Sequence, residues 1–359
     1  MKYILFYCVN GVGLGHIRRS SRLCRRMMDL GGNDLVQPVF ITNAVQHDWL
    51  RHEGWPYVYT ANDFSLNPHQ EKSVPGLCSF LVRQIVDFVR PVTVVTDVCF
   101  PEALPAQCET LGIPFICLFD SDWCQELHGA EVQNVLEHGG LIIITNYLER
   151  HYGSKFVYAG PFILQRNGLL EQRLANRYWK RGGFRVLCMQ GGGGWTRANS
   201  TYEQTQRPFI VSIDRLLGSL GRDDVDALFF TGPYQEEMAT EHLKIEGFEP
   251  DVAYLFASAD LALIRGGTQQ VTETLSMSCP TIVYPANYEK DDQKQNLNIW
   301  GGHRGITCWE GDPVDSANLV RSLLDHDRLS QLRQSIQSMP KPDGEKYAAE
   351  MILSRLIRR

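Results

Sequence analysis

The sequence lacks several features that would assign it to a membrane, secreted or metal-binding class. It has no apolar run of about 18 residues, the length that a membrane-spanning helix needs. The apolar run at residues 3–9 is too short for the hydrophobic part of a signal peptide. The 10 cysteines include no Cys-x-x-Cys pair, so their spacing does not indicate zinc. Together with the lack of repeats, these absences predict a cytoplasmic globular protein with reduced cysteines.

An excess of positive charge is also missing. The 35 lysines and arginines are outnumbered by 41 aspartates and glutamates, and the formal net charge is −6. This balance argues against a general affinity for nucleic acid or anionic lipid, so any anion site must be local. With 359 residues, of which 43% are hydrophobic, the chain is long enough for two ordinary domains.

Short apolar runs rich in β-branched residues alternate with amphipathic stretches of helical length. The first series comprises residues 3–9, 37–42, 92–96, 114–119, 141–145 and 156–159, and the second comprises residues 184–189, 227–231, 261–264, 281–284 and 305–307. Parallel strands need crossover connections, so the alternation predicts an α/β fold of two Rossmann-like, doubly wound parallel-sheet domains that face each other across a cleft. We expect an N-terminal domain over residues 1–160, a C-terminal domain over residues 161–345, and a last helix over residues 346–359 packed on one of them.

A glycine-rich turn with Gly11, Gly13 and Gly15 follows the first predicted strand and opens a helix at His16. Open α/β sheets bind ligands at this end of their strands. The glycine spacing departs from the dinucleotide-binding G-x-G-x-x-G pattern. Because the helix dipole favours a neutral imidazole here, His16 is a candidate general base; a histidine that only caps or packs the turn is the alternative.

Arginines crowd the helix that starts at His16: Arg18, Arg19, Arg22, Arg25 and Arg26. Such a run usually forms a solvated face. The less favoured alternative is contact of residues 18–26 with an anionic acceptor or with a membrane surface. Arg18, with Gly13 and Gly15, is assigned to the acceptor side.

Asp97 follows the predicted strand 92–96 and therefore lies at the same kind of edge as His16. A carboxylate there can hydrogen-bond the His16 ring, fix its tautomer and stabilise an imidazolium. Capping of the next helix is the alternative role.

Glycines and polar residues also follow the strands of the second half. After the strand 184–189 come four consecutive glycines whose bare N–H groups can approach a phosphate, although a flexible loop is the alternative: Gly191, Gly192, Gly193 and Gly194. A second turn, Arg265-Gly266-Gly267-Thr268, joins a strand to a helix that carries Glu273. The N–H groups of that helix start suit a diphosphate, and Glu273 lies within reach of a ribose diol. Further on, Asp292 and Gln293 are suited to sugar hydroxyls.

In this order and spacing the motifs resemble those of GT-B glycosyltransferases, closest to the peptidoglycan-precursor N-acetylglucosaminyltransferase type and related antibiotic and plant sugar transferases. The resemblance implies that Glu273 binds ribose, that Asp292 and Gln293 bind the donor sugar, and that backbone groups of Phe248 and Glu249 contact uracil. It also supports His16 as the base and Asp97 as its partner. One departure is the loop at residues 15–18, which reads Gly-His-Ile-Arg rather than the Gly-His-x-x-Pro type of the family.

The resemblance implies an inverting, metal-independent transfer of a sugar from a UDP-sugar, such as UDP-GlcNAc or UDP-glucose, to a small-molecule or lipid-linked acceptor. No cofactor or metal is expected, and Asp120-Ser121-Asp122 is interpreted as turn chemistry. The alternatives on the same fold are a nucleotide-sugar hydrolase, a non-hydrolysing 2-epimerase and a non-catalytic nucleotide-sugar-binding protein.

Overall fold

The structure is a computed structural model that describes residues 2–8, 15–42, 48–60, 77–97, 100–119, 130–145, 156–180, 182–190, 207–231, 238–285 and 305–357. The chain divides into two compact units. Unit 1 holds Met1–Phe162 and Pro342–Arg359, and unit 2 holds Ile163–Lys341. The chain therefore returns at its end to the unit in which it began. Within the described ranges, no helix has both the length and the apolar character needed to cross a bilayer.

Unit 1 is built on a seven-stranded parallel sheet with the spatial order β3-β2-β1-β4-β5-β6-β7. The strands are β1 (Tyr3–Cys8), β2 (Gln37–Thr42), β3 (Tyr57–Tyr59), β4 (Thr93–Asp97), β5 (Phe115–Phe119), β6 (Leu141–Ile144) and β7 (Phe156–Tyr158). The helices that connect them include α1 (Gly15–Asp29), α2 (Asp48–His52), α3 (Leu77–Val89), α4 (Leu104–Thr110) and α5 (Ala130–Glu137).

Unit 2 is built on a six-stranded parallel sheet with the order β10-β9-β8-β11-β12-β13. Its strands are β8 (Phe184–Met189), β9 (Val225–Phe230), β10 (Lys244–Glu246), β11 (Leu261–Ile264), β12 (Thr281–Val283) and β13 (Ile306–Cys308). The helices among its described residues are α6 (Gly168–Tyr178), α7 (Arg207–Ser219), α8 (Thr268–Ser276), α9 (Ala317–Leu323) and α10 (His326–Gln337). The predicted α/β class with two parallel sheets is confirmed.

The strands are continuous apolar runs because both faces of each sheet are covered. Leu5 and Tyr7 of β1 belong to a buried cluster that also contains side chains of α3, α4 and α5. Successive side chains of a strand alternate between faces, so Ile4 and Phe6 point to the other face, where Phe6 stacks on Phe40 at 4.9 Å.

The C-terminal helix, α11 (Gly344–Ile357), packs on α1 in unit 1. Two ion pairs join the helices: Arg22 Nη2 lies 3.0 Å from Glu345 Oε2, and Arg26 Nη2 lies 2.8 Å from Asp343 Oδ2, just before α11. The sequence left open which domain this helix covers. Its charged partners on α1 decide the question.

Each sheet has one point at which strands are added in opposite directions. This switch point lies between β1 and β4 in unit 1 and between β8 and β11 in unit 2. Ligands of open α/β sheets bind beyond the carboxyl ends of the strands at such points. The carboxyl ends of β1 and β4 therefore mark one candidate site, and those of β8 and β11 mark another.

Two short edge strands, β3 and β10, were not predicted from the sequence. Each has three residues and is partly exposed, so neither leaves a buried apolar run in the sequence. After Asp251 the chain forms a 3-10 helix, Val252–Ala257.

Candidate active site

His16 and Asp97 lie together at the switch point of unit 1. His16 is the second residue of α1, and Asp97 is the last residue of the neighbouring strand β4. His16 Nδ1 lies 2.9 Å from Asp97 Oδ1. The His16 side chain is 31% exposed, whereas that of Asp97 is fully buried. The pair thus joins a buried carboxylate to an imidazole that reaches solvent.

Arg19 holds the same carboxylate from the other side. Its Nε donates to Asp97 Oδ2 at 2.8 Å, and its Nη2 donates to Asp97 Oδ1. The third nitrogen, Nη1, donates to the hydroxyl of Thr145 at 3.3 Å, directly after β6. Arg19 is 2% exposed. One buried guanidinium therefore makes a bidentate ion pair with Asp97 and crosses the carboxyl edge of the sheet from β4 to β6.

The surroundings of His16 Nδ1 indicate the tautomer of the ring. Asp97 Oδ1 is an acceptor at 2.9 Å, whereas Arg19 Nη2 can only donate and is farther away, at 3.4 Å. The nearer partner favours an Nδ1–H group that donates to the carboxylate. Nε2 is then the nitrogen with a free lone pair, as a general base requires.

Two opposing effects set the charge of Asp97. Burial raises the pKa of its carboxyl group, but the charges and hydrogen bonds of Arg19 and His16 outweigh burial and lower the pKa to about 2. Asp97 is therefore an anion throughout the physiological range.

The interpretation of the five arginines of α1 as a solvated face is wrong for Arg19, which the sequence analysis did not select. Arg22 and Arg26 are tied to the C-terminal segment, as described above, and Arg25 Nη2 contacts Glu53 Oε2 at 2.8 Å. The Arg18 guanidinium lies 5.0 Å from the centre of the Trp49 ring. One signal in the sequence was available: Arg19 lies one turn before buried Leu23, at the border of the apolar face.

The start of α8 lies directly after β11, at the switch point of unit 2. Gly266 has a φ of +94°, and a Cβ atom there would lie 2.5 Å from Val283 Cγ1. Both the backbone conformation and the lack of space therefore require glycine at this position. Gly267 is the N-cap and supplies no side chain, and Thr268 is the first helical residue. A helix start of this kind offers backbone N–H groups and a positive dipole end to an anion.

Two side chains flank this turn. The Arg265 guanidinium lies 4.1 Å from the centre of the Phe209 ring of α7. Glu273 lies on α8, where the sequence places it, and it is fully buried. Its contact with a ribose stays a prediction.

Phe248 and Glu249 lie between β10 and the 3-10 helix. Phe248 is partly buried. The Glu249 carboxylate is buried and accepts hydrogen bonds from the Tyr178 hydroxyl at 2.7 Å and from Arg177 Nη1 at 3.2 Å. The Glu249 side chain is thus anchored to α6. A contact of the backbone with uracil stays a prediction.

Several predicted site residues lie outside the described residues: Gly13, Gly191, Gly192, Gly193, Gly194, Asp292 and Gln293, and also Asp120 and Asp122. Gly15 is described and is the first residue of α1. In the described part of the chain, no group of three or more His, Cys, Asp or Glu side chains is placed to hold a metal ion.

No family model matches the chain. Its sequence is similar to enzymes named UDP-N-acetylglucosamine–N-acetylmuramyl-(pentapeptide) pyrophosphoryl-undecaprenol N-acetylglucosamine transferase. The Histophilus somni enzyme is 23% identical over 173 residues, which are 47% of this chain and 48% of the relative. The Vibrio cholerae enzyme is 26% identical over 193 residues, 51% of each chain. The chain thus matches about half the length of these relatives.

Solved structures resemble the chain over nearly its whole length. The glycotransferase of kitacinnamycin has a TM-score of 0.67 at 16% identity and covers 98% of each chain. MurG of Acinetobacter baumannii has a TM-score of 0.60 at 13% identity, over 99% of this chain and 100% of its own. UGT2 of Phytolacca americana has a TM-score of 0.64 at 11% identity, over 99% of this chain and 100% of its own. The chain therefore has the GT-B glycosyltransferase fold, and in sequence it is similar to the MurG-type N-acetylglucosamine transferases.

Proposed function

We propose that the chain is an inverting, metal-independent glycosyltransferase that uses a UDP-sugar, such as UDP-GlcNAc or UDP-glucose. The observation that carries the proposal is the pair of His16 and a buried, ionised Asp97 at the switch point of unit 1 of a GT-B fold. The relatives named as UDP-N-acetylglucosamine-dependent transferases support the choice of donor.

In the proposed reaction, His16 Nε2 accepts the proton of an acceptor hydroxyl. The acceptor oxygen forms a bond to the anomeric carbon of the sugar as the bond from that carbon to the diphosphate oxygen breaks. Attack opposite the leaving group inverts the configuration. Asp97 orients the imidazole and stabilises the imidazolium.

The leaving UDP carries the electron pair of the broken bond as negative charge on its diphosphate. In the proposal, the N–H groups at the start of α8, with Thr268 and the glycines 191–194, stabilise this charge without a metal. Glu273 holds the ribose, and Asp292 and Gln293 hold the sugar. Gly13, Gly15 and Arg18 lie on the acceptor side, which receives a small-molecule or lipid-linked acceptor.

The test has two parts. Calorimetry with UDP, dTDP and GDP measures which free nucleotide binds, and we expect UDP. UDP-GlcNAc and UDP-glucose are then incubated in EDTA, with and without a panel of lipid-linked and small-molecule acceptors, and UDP release is followed. Acceptor-dependent release supports the proposal. Rapid release or epimerisation without an acceptor would identify a hydrolase or an epimerase instead, and binding without any turnover would identify a non-catalytic binding protein.

A further inference from the structure

Arg19 is a buried charged side chain of the candidate site that the family resemblance does not explain. It stands at the last position of Gly-His-Ile-Arg-Arg, where the related loop of the family has proline in its Gly-His-x-x-Pro sequence. Proline has no side-chain donor. The guanidinium next to Asp97 is therefore a feature of this chain.

We propose that Arg19 is a positioning residue, which holds Asp97 in the orientation and charge state that keep Nε2 of His16 unprotonated and able to accept a proton. This inference rests on the proposed function, because that function makes His16 a general base. The geometry of the three residues stands without it.

Arg19 fixes the orientation of the Asp97 carboxylate. A carboxylate held by one hydrogen bond can rotate about its Cβ–Cγ bond. Arg19 binds both oxygens of Asp97, through Nε and Nη2, and the planar fork of a guanidinium fixes the carboxylate plane. Oδ1, the oxygen 2.9 Å from His16 Nδ1, is then held within hydrogen-bonding distance of the ring.

Arg19 also keeps the Asp97 carboxyl group ionised. Asp97 is fully buried, and burial favours its neutral form. A protonated Asp97 could donate its own proton to His16 Nδ1, and the ring would then carry its proton on Nε2. That tautomer has no lone pair available on Nε2 for an acceptor proton. The buried charge of Arg19 opposes this outcome because it favours the carboxylate.

The positioning role of Arg19 differs from a purely structural one in its effect on the His16 tautomer. The guanidinium also bonds to Thr145 at 3.3 Å, and the loss of any buried ion pair destabilises a fold. A residue that only stabilises the sheet edge would leave the His16 tautomer unchanged in a variant that still folds. The tautomer is therefore the informative measurement.

The experiment is nitrogen-15 NMR of histidine side chains in the full chain, which distinguishes Nδ1–H from Nε2–H imidazole. His16→Gln assigns the signal. We expect Nδ1–H in the wild type, a large population of Nε2–H in Arg19→Met, and an intermediate population in Arg19→Lys, since one ammonium cannot hold both oxygens as a fork does. Arg25→Met, an exposed arginine of the same helix, is the matched control and should give the wild-type spectrum.

A wild-type tautomer in folded Arg19→Met would overturn the proposal. Should Arg19→Met fail to fold, Arg19→Lys keeps the buried charge, and a spectrum identical to that of the wild type would overturn the role of the bidentate contact. UDP calorimetry on the same samples keeps the two proposals apart. Loss of the tautomer with normal UDP binding supports Arg19 as a positioning residue, whereas a wild-type chain that binds no UDP contradicts only the proposed donor.

Discussion

Arg19 Nε lies 2.8 Å from Asp97 Oδ2, although 78 positions separate the two residues in the chain. Both side chains are buried, so each charge depends on the other for its stabilisation. Their pairing joins the first turns of α1 to the end of β4, and His16 shares the same carboxylate. Stability and the chemistry of the candidate site are therefore coupled through one side chain.

The first prediction concerns this coupling. Arg19→Met and Asp97→Asn each leave a buried group without its charged partner, and each should lower the free energy of unfolding by about 3 to 5 kcal/mol. The double variant Arg19→Met/Asp97→Asn should lose far less than the sum, because no lone charge stays buried. Urea unfolding of the four proteins measures the coupling. Additive losses would show that the two side chains do not stabilise each other.

The second prediction concerns acid. The pKa of Asp97 is about 2 in the folded chain and is about 3.9 for an ordinary aspartate. A lowered folded-state pKa contributes stability above pH 4, and this contribution, about 2 to 3 kcal/mol, is lost as the pH falls from about 4 to 2. We expect the double variant to lack this part of the pH dependence in urea unfolding.

A matched control for the acid prediction is the surface pair of Arg222, whose side chain is 28% exposed, and Asp224, whose side chain is 51% exposed. Arg222 Nε and Nη2 donate to Asp224 Oδ1 and Oδ2 at 2.8 and 2.7 Å, which is also a bidentate contact. Water screens an exposed pair. The corresponding double variant Arg222→Met/Asp224→Asn should follow the acid dependence of the wild type closely. Equal changes of the acid dependence in both double variants would contradict the assignment of this dependence to Asp97.

The third prediction concerns the proposed base. His16→Ala should leave the affinity for UDP nearly unchanged and lower acceptor-dependent turnover by about 10² to 10⁴, the usual contribution of a general base. Undiminished turnover would rule out the role.

His138 is a suitable control for His16, because it has the same exposure and also contacts a carboxylate. His138 is also 31% exposed, and its Nδ1 lies 2.7 Å from Glu109 Oε2. It follows α5 and precedes β6, so it lies near the amino edge of the sheet rather than the carboxyl edge. His138→Ala should keep wild-type turnover. A comparable loss in both variants would point to a general effect on folding.

The fourth prediction concerns the turn before α8. Gly266→Ala places a Cβ atom 2.5 Å from Val283 Cγ1 at a φ of +94°. We expect it to destabilise the chain by about 1 to 3 kcal/mol and to weaken UDP binding, since a turn strained by the new Cβ would move the start of α8. Gly267→Ala is the control. Gly267 has a φ of −59°, and a Cβ atom there would lie 3.8 Å from Gln270 Oε1, so the folding stability of this variant should stay close to that of the wild type. Thermal unfolding and UDP calorimetry measure both effects, and equal stabilities would contradict the steric argument.

Much of this organisation followed from the sequence. The buried strands are recognisable as apolar runs, and the glycines after β1 and β11 precede the starts of α1 and α8. The position of Asp97 at the end of a strand led to the expectation that it hydrogen-bonds His16, and the structure places their side chains 2.9 Å apart. The edge strands β3 and β10 could not be predicted from the sequence, because three partly exposed residues form no periodic pattern.

Local patterns determined the α/β class, the strand series and the candidate residues, because burial on both faces of a sheet and the needs of a helix start are recorded in neighbouring residues. Tertiary structure alone decided that Arg19 is buried against Asp97, that Glu273 is enclosed, and that α11 covers α1. The burial of a charge depends on its partner. The partner of Arg19 comes from β4, which the order of the sheet places beside β1, and no local periodicity records that order.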